Sequence, residues 1–176
     1  MPNFIKTKIE GLVIIEPSVF ADDRGFFMET YNQKVFAENG IDVTFVQDNH
    51  SRSSKGVLRG LHFQQEPYAQ DKLIRCTKGE VFDVAIDLRP DSPTFGQYEG
   101  IVLSEENKKM FFIPKGFAHG FLVLSEIADF QYKCTNLYNK ESEGGLMWND
   151  PKVAIDWPKL DINYILSEKD NNWPNL

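Results

Sequence analysis

Short apolar runs recur along the whole chain, and each is closed by glycine, proline, asparagine or aspartate. That punctuation predicts strands joined by tight turns. The clearest period-two segment is Val81 to Arg89, where Phe82, Val84, Ile86 and Leu88 alternate with Asp83, Ala85 and Asp87. Further strands are predicted over Gly11–Pro17, Phe26–Tyr31, Val43–Asn49, Val57–Gln64, Lys72–Thr77, Tyr98–Leu103, Lys109–Ile113, His119–Leu124 and Ala128–Cys134. Ala21–Gly25 and His50–Gly56 are predicted as loops. One short helix fits Asn32–Asn39, with Asn32 as its N-cap and Gly40 as its stop. Ser167-Glu168-Lys169-Asp170 has the form of a capping sequence. Many short strands and almost no helix point to an all-β sandwich or barrel, with residues 1–176 forming one domain.

Gly56–Arg75 (GVLRGLHFQQEPYAQDKLIR) gathers Arg59, His62, Lys72 and Arg75 among apolar and amide residues. On a regular strand Arg59 and His62 would face opposite sides. If both serve one site, the strand carries an irregularity between them, and Gly60 is the natural place for it. Arg75 has the opposite parity to Lys72 and no evident site role.

Charge sharpens this reading. The chain carries a formal net charge of −7, so a cluster of cations within it suits a bound anion, while the acidic total argues against a nucleic-acid partner. No run approaches the length of a membrane span, and the N-terminus lacks the apolar core of a signal peptide. Cys76 and Cys134 are then expected as free buried thiols, and a cytoplasmic location follows.

Histidines are scarce: His50, His62 and His119. His50 lies in a polar segment and reads as surface. His62 alone reads as a core histidine, and Arg59 and Lys72 nearby move it toward a site. Pro114-Lys115-Gly116-Phe117-Ala118-His119 resembles the second motif of the cupin superfamily, PxGxxH, yet the paired histidines of the first motif are missing. That supports the barrel and weakens a metal site, which wants several His and carboxylates on adjacent strands. General acid–base chemistry fits better. A neutral histidine takes a proton, a strand tyrosine such as Tyr132 returns one, and a lysine stabilises the oxyanion between.

The stretches DDRGFFMETY, FVQDNHSRSSKGVLRGLHFQ, AQDKLIRCTKGEVFDVAIDLR, SPTFGQYEG, IPKGFAHGFLVLS, YKCTNLY and LSEKD resemble the cupin-type sugar-nucleotide epimerases of deoxysugar biosynthesis, specifically the dTDP-4-dehydrorhamnose 3,5-epimerase family. The likeness runs from Asp22 to Asp170. It implies a cupin-like jelly-roll fold with a few short helices, a homodimer, and no cofactor or metal. The implied reaction inverts C3 and C5 of dTDP-4-dehydro-6-deoxy-D-glucose, giving dTDP-4-dehydro-L-rhamnose. By the same resemblance His62 is the base, Lys72 stabilises the enolate, Tyr132 protonates the opposite face and Asp170 orients His62. From the sequence alone Asp83 rivals Asp170 as that orienter. Arg24 and Arg59 would grip the diphosphate and Tyr138 would stack on thymine. Glu29, Gln47, Asn49, His119, Glu143 and Lys169 would complete the binding set. The rival readings are an epimerase acting at C3 or C5 alone, a ketoisomerase, a metal-dependent cupin and a non-catalytic nucleotide-sugar binder.

Overall fold

The apolar runs pair into two antiparallel sheets that face each other, as a computed structural model of residues 1–176 shows. In chain order the strands are β1 (Asn3–Lys6), β2 (Val13–Glu16), β3 (Val19–Asp22), β4 (Gly25–Met28), β5 (Gln47–Ser54), β6 (Leu58–Gln64), β7 (Lys72–Lys78), β8 (Glu80–Asp87), β9 (Tyr98–Ser104), β10 (Met110–Ile113), β11 (Phe117–Val123), β12 (Ile127–Cys134) and β13 (Glu143–Gly145). The single helix, α1 (Gln33–Glu38), lies between β4 and β5, and a 3-10 turn covers Lys140–Ser142. The first sheet runs β1-β2-β10-β7-β12-β5 and the second β13-β6-β11-β8-β9. Each sheet keeps free edge strands, so the architecture is a jelly-roll sandwich rather than a barrel closed by hydrogen bonds. A separate hairpin, β3–β4, belongs to neither sheet.

Three apolar clusters hold the layers. Ile74, Val81, Phe111, Phe121 and Phe130 fill the space between the sheets. Leu58, Leu61, Val84, Ile86 and Leu122 pack on the outer face of the second sheet, beneath Leu146, Val153 and Trp157 of the C-terminal part. Ile15, Leu73, Met110 and Phe112 pack on the outer face of the first sheet, beneath Phe36 of α1. Burying a side chain of this size contributes roughly 1.5–3 kcal/mol. The Asn32 side chain accepts from the Val35 amide at 3.2 Å, so it caps α1 as expected. No helix is long and apolar enough to cross a membrane.

Two expectations need correction. The strand placed over Val43–Asn49, with a loop after it, is in fact β5, Gln47–Ser54. Its inward side chains are polar, so apolar alternation could not mark it. The other concerns the hairpin, where the segment predicted as a loop at Ala21–Gly25 holds the end of β3 and the start of β4.

In β8 the aspartates that alternate with apolar residues do not face water: Asp83 and Asp87 are both fully buried. Asp87 is bound by Arg89, Ser92 and Thr94. Burial works to raise its pKa, but those donors outweigh it and hold the carboxyl well below the usual range.

Candidate active site

Opposite His119 on β11 stands His62 on β6, and opposite Phe121 stands Arg59, so three residues of β6 span the length of two on β11. The extra residue is a β-bulge. Gly60 sits in it at φ +129°, and a Cβ there would lie 2.6 Å from the Cα of Gly120 and 2.9 Å from the His119 carbonyl. Only glycine suits both the backbone angle and the close approach. The bulge resets the alternation, so Arg59 and His62 line one cavity of about 630 Å³ between the sheets.

The C-terminal segment crosses the mouth of that cavity. Val57 and Ile165 form a parallel bridge, which brings in the turn that follows. The Ser167 hydroxyl accepts from the Asp170 amide at 3.1 Å, as the capping sequence foretold, though the turn never grows into a helix. Asp170 meets His62 with Oδ1 2.5 Å from Nε2. Burial works to raise the Asp170 pKa, but the His62 bond, Ser167 and the Gly60 amide lower it, so the group is a carboxylate. A carboxylate only accepts, so Nε2 carries the proton and Nδ1 is the basic atom of the ring. The rival orienter, Asp83, is paired elsewhere: its Oδ2 lies 2.8 Å from Nε2 of His119.

Lys72 and Tyr132 enter from the first sheet, facing His62 across the cavity. Lys72 opens β7 and is the register partner of Cys134, two residues beyond Tyr132, so both side chains lie on the same face. The ammonium lies 6.0 Å from the Tyr132 ring centre. Burial pushes the lysine pKa below its usual value, with Cys134, Asp83 and Glu143 pulling it back up. Burial raises the Tyr132 pKa, so the phenol keeps its proton at neutral pH. Burial also lowers the His119 pKa and raises that of Asp83.

Toward solvent the cavity continues into a compartment lined by Gln47, Asn49, Tyr138 and Glu143. The Tyr138 hydroxyl donates to Glu143 at 3.2 Å, and Lys169 donates to the other Glu143 oxygen at 2.7 Å. Tyr138 is 53% exposed, so it is available to stack on a planar ligand. Arg59 donates to the Ser53 hydroxyl at 3.1 Å. Of the predicted set, only Arg24 and Glu29 line neither compartment. Arg24 lies at the tip of the β3–β4 hairpin, bound to Asp22 and exposed, and Glu29 is exposed just beyond β4. No three His, Cys, Asp or Glu side chains converge as metal ligands.

The sequence matches the dTDP-4-dehydrorhamnose 3,5-epimerase family over residues 6–176. The chain belongs to that family. It is 62% identical over 169 residues to the dTDP-4-dehydrorhamnose 3,5-epimerase of Escherichia coli (strain K12), covering 96% of this chain and 91% of that one. The dTDP-6-deoxy-D-glucose-3,5-epimerase of Legionella pneumophila Philadelphia 1, solved in complex with dTDP-4-keto-L-rhamnose, superposes with a TM-score of 0.96 at 54% identity, over 99% of this chain and 93% of that one. A 3′-monoepimerase from Streptomyces bikiniensis, in complex with dTDP-quinovose, superposes with a TM-score of 0.90 at 34% identity, over 96% and 85%.

This member of the epimerase family also lines its cavity with Ser51, Phe121 and Phe130, which the sequence reading did not single out. Phe121 and Phe130 stack at 4.1 Å and form an apolar floor. Ser51 lies in an unbroken polar run, Gln47–Ser54, whose only pattern is that neutral Gln47, Asn49, Ser51 and Ser53 alternate with Asp48, His50 and Arg52. Arg75 faces away from the cavity and donates to Gln131 on the outer side of the sheet at 2.9 Å.

Proposed function

We propose that this chain epimerises dTDP-4-dehydro-6-deoxy-D-glucose at C3 and C5, giving dTDP-4-dehydro-L-rhamnose. The observation that carries this reading is the placement of His62 and Tyr132 on opposite sheets across one cavity, with Lys72 beside the tyrosine. Inversion of a carbon requires proton removal from one face and return to the other. Two residues on opposing walls supply that, whereas one residue would tend to return the proton to the side it left. Nδ1 of His62 takes the proton next to the C4 ketone, and Asp170 holds the ring and offsets the charge it gains. The Lys72 ammonium stabilises the enolate oxygen in a setting where burial strengthens its field. Tyr132 delivers a proton to the other face. The substrate ketone is the electron sink, so the reading calls for no cofactor.

Arg59 takes the diphosphate, for which the guanidinium fork is suited. Tyr138 takes the thymine, and Gln47, Asn49, His119, Glu143 and Lys169 complete the binding set. The chain acts as one domain, and its two buried, unlinked thiols fit a reducing cytoplasm.

The reading is tested by incubating the enzyme with dTDP-4-dehydro-6-deoxy-D-glucose in deuterium oxide and following C3 and C5 by NMR. Deuterium is expected at both carbons, with the L-configured product. Exchange at one carbon alone would assign the chain to the monoepimerases instead, the class of the Streptomyces bikiniensis relative.

Arg24 and Glu29 enter this scheme through a homodimer. The hairpin that carries Arg24 exposes Phe20, Phe26 and Phe27 by 66%, 58% and 70%. An apolar surface of that kind is suited to cover by a second copy. The hairpin then places Arg24 and Glu29 at the partner's cavity. Mixing inactive His62→Ala and Arg24→Ala proteins under subunit exchange is expected to restore about a quarter of wild-type activity, since half of the random dimers hold one intact site. No recovery in exchanged heterodimers would place Arg24 in its own protomer's site.

A further inference from the structure

The His62–Asp170 pair rests on a third group that touches neither the cavity nor the carboxylate. The indole of Trp173 meets the His62 ring edge-on, with ring centres 6.1 Å apart and planes at 68°. Its place is made by a glycine. Gly145 on β13 is the register partner of His62, and a Cβ there would lie 2.2 Å from Cδ2 and Cε2 of Trp173. The Gly145 backbone lies outside the left-handed region, so its missing side chain answers to the indole and not to a turn. The indole nitrogen is buried and has no hydrogen-bond partner. Shape and contact area, not a polar contact, therefore define what Trp173 does there.

The same short segment carries Asp170, and it is tied down beyond Trp173. The Met147 amide donates to the Pro174 carbonyl at 2.8 Å, and the Leu176 amide donates to Asp150 at 2.7 Å. Asp150 is itself buried and also accepts from the Lys152 and Val153 amides. The hydrogen bond at Nε2 fixes one point of the imidazole and leaves the ring free to swing about it. A flat group against the ring's flank removes that freedom.

We propose that Trp173 is a positioning residue for His62. It holds the imidazole in the one orientation that keeps Nε2 on Asp170 and presents Nδ1 as the base. The C-terminal segment thus supplies both restraints on the ring. This rests on the assignment of His62 as the base.

Trp173→Ala and Trp173→Phe in the full-length protein test it, with turnover of the dTDP-4-dehydro sugar, dTDP affinity and nitrogen-15 NMR of His62 as readouts. In wild type the NMR signals are expected to report the Nε2–H tautomer alone. Trp173→Ala is expected to lower kcat by about 10- to 100-fold with KM and dTDP affinity within about threefold, and to mix the His62 tautomers. Trp173→Phe is expected to restore kcat to within about threefold, because a flat ring returns to the same place. Three results would overturn the proposal. One is a Trp173→Ala kcat within about twofold of wild type. Another is a fall in kcat matched by an equal loss of dTDP affinity, with the His62 signals unchanged. The last is a Trp173→Phe variant as impaired as the alanine. If His62→Ala keeps its turnover, the base assignment falls, while the tautomer readout still decides whether Trp173 sets the ring.

Discussion

Replacing His62 with alanine is expected to lower turnover by about 10²- to 10⁴-fold, the full range of a lost general base, while dTDP still binds. Two features separate these effects. Tyr138 and Glu143 share a compartment with His62 yet make no hydrogen bond to it, and the ring's own partner is Asp170. The fold should survive the change, since Asp170 keeps its contacts with Ser167 and the Gly60 amide. Deuterium exchange at C3 and C5 should vanish together with turnover, because the histidine acts before either carbon is reprotonated. Steady-state turnover measured beside dTDP titration calorimetry checks this. A variant turning over within about tenfold of wild type would remove His62 from the base role.

The second large effect concerns stability. Gly60→Ala should destabilise the protein by about 3–5 kcal/mol, combining backbone strain with an overpacked contact. The new Cβ would lie 2.6 Å from one backbone atom and 2.9 Å from another, and neither can rotate away as a side chain would. Relief would require β6 and β11 to separate at the point where their register shifts. That would also turn Arg59 and His62 away from their common cavity, so the protein that remains folded should be inactive. Gly40→Ala provides the control. Its backbone is also left-handed, φ +88°, but nothing lies within 4 Å of the added atom. It should cost only the strain, about 1–2 kcal/mol. Denaturant unfolding of both variants checks the difference. Equal losses would show that the close approach to Gly120 has no bearing on stability.

Legibility in the sequence followed the physics of each segment. β8, β11 and β12 pack apolar side chains on the core, so their residue types announced them. β5 has no such signature, because its inward side chains line a polar cavity, and its place was misjudged by several residues. The β3–β4 hairpin is hydrogen-bonded to neither sheet and Phe20, Phe26 and Phe27 stay exposed, so no core-facing alternation arises there. His62, Lys72 and Tyr132 were readable as a set, since charged and phenolic groups within apolar strands need a reason to be there.

The sequence by itself carried the all-β class through residue type and spacing, and the family through motifs that resemble it. That resemblance also named the candidate site residues, and strand parity pointed to Gly60 as the place for an irregularity if Arg59 and His62 share a cavity. Tertiary structure alone decided which aspartate serves which histidine: Asp170 on His62 and Asp83 on His119. The sequence separation of a pair says nothing about distance once the chain folds back, and Asp170 lies 108 residues from its partner. The same is true of Trp173 and Gly145, whose fit becomes visible only when the C-terminal segment lies against the strand that carries His62.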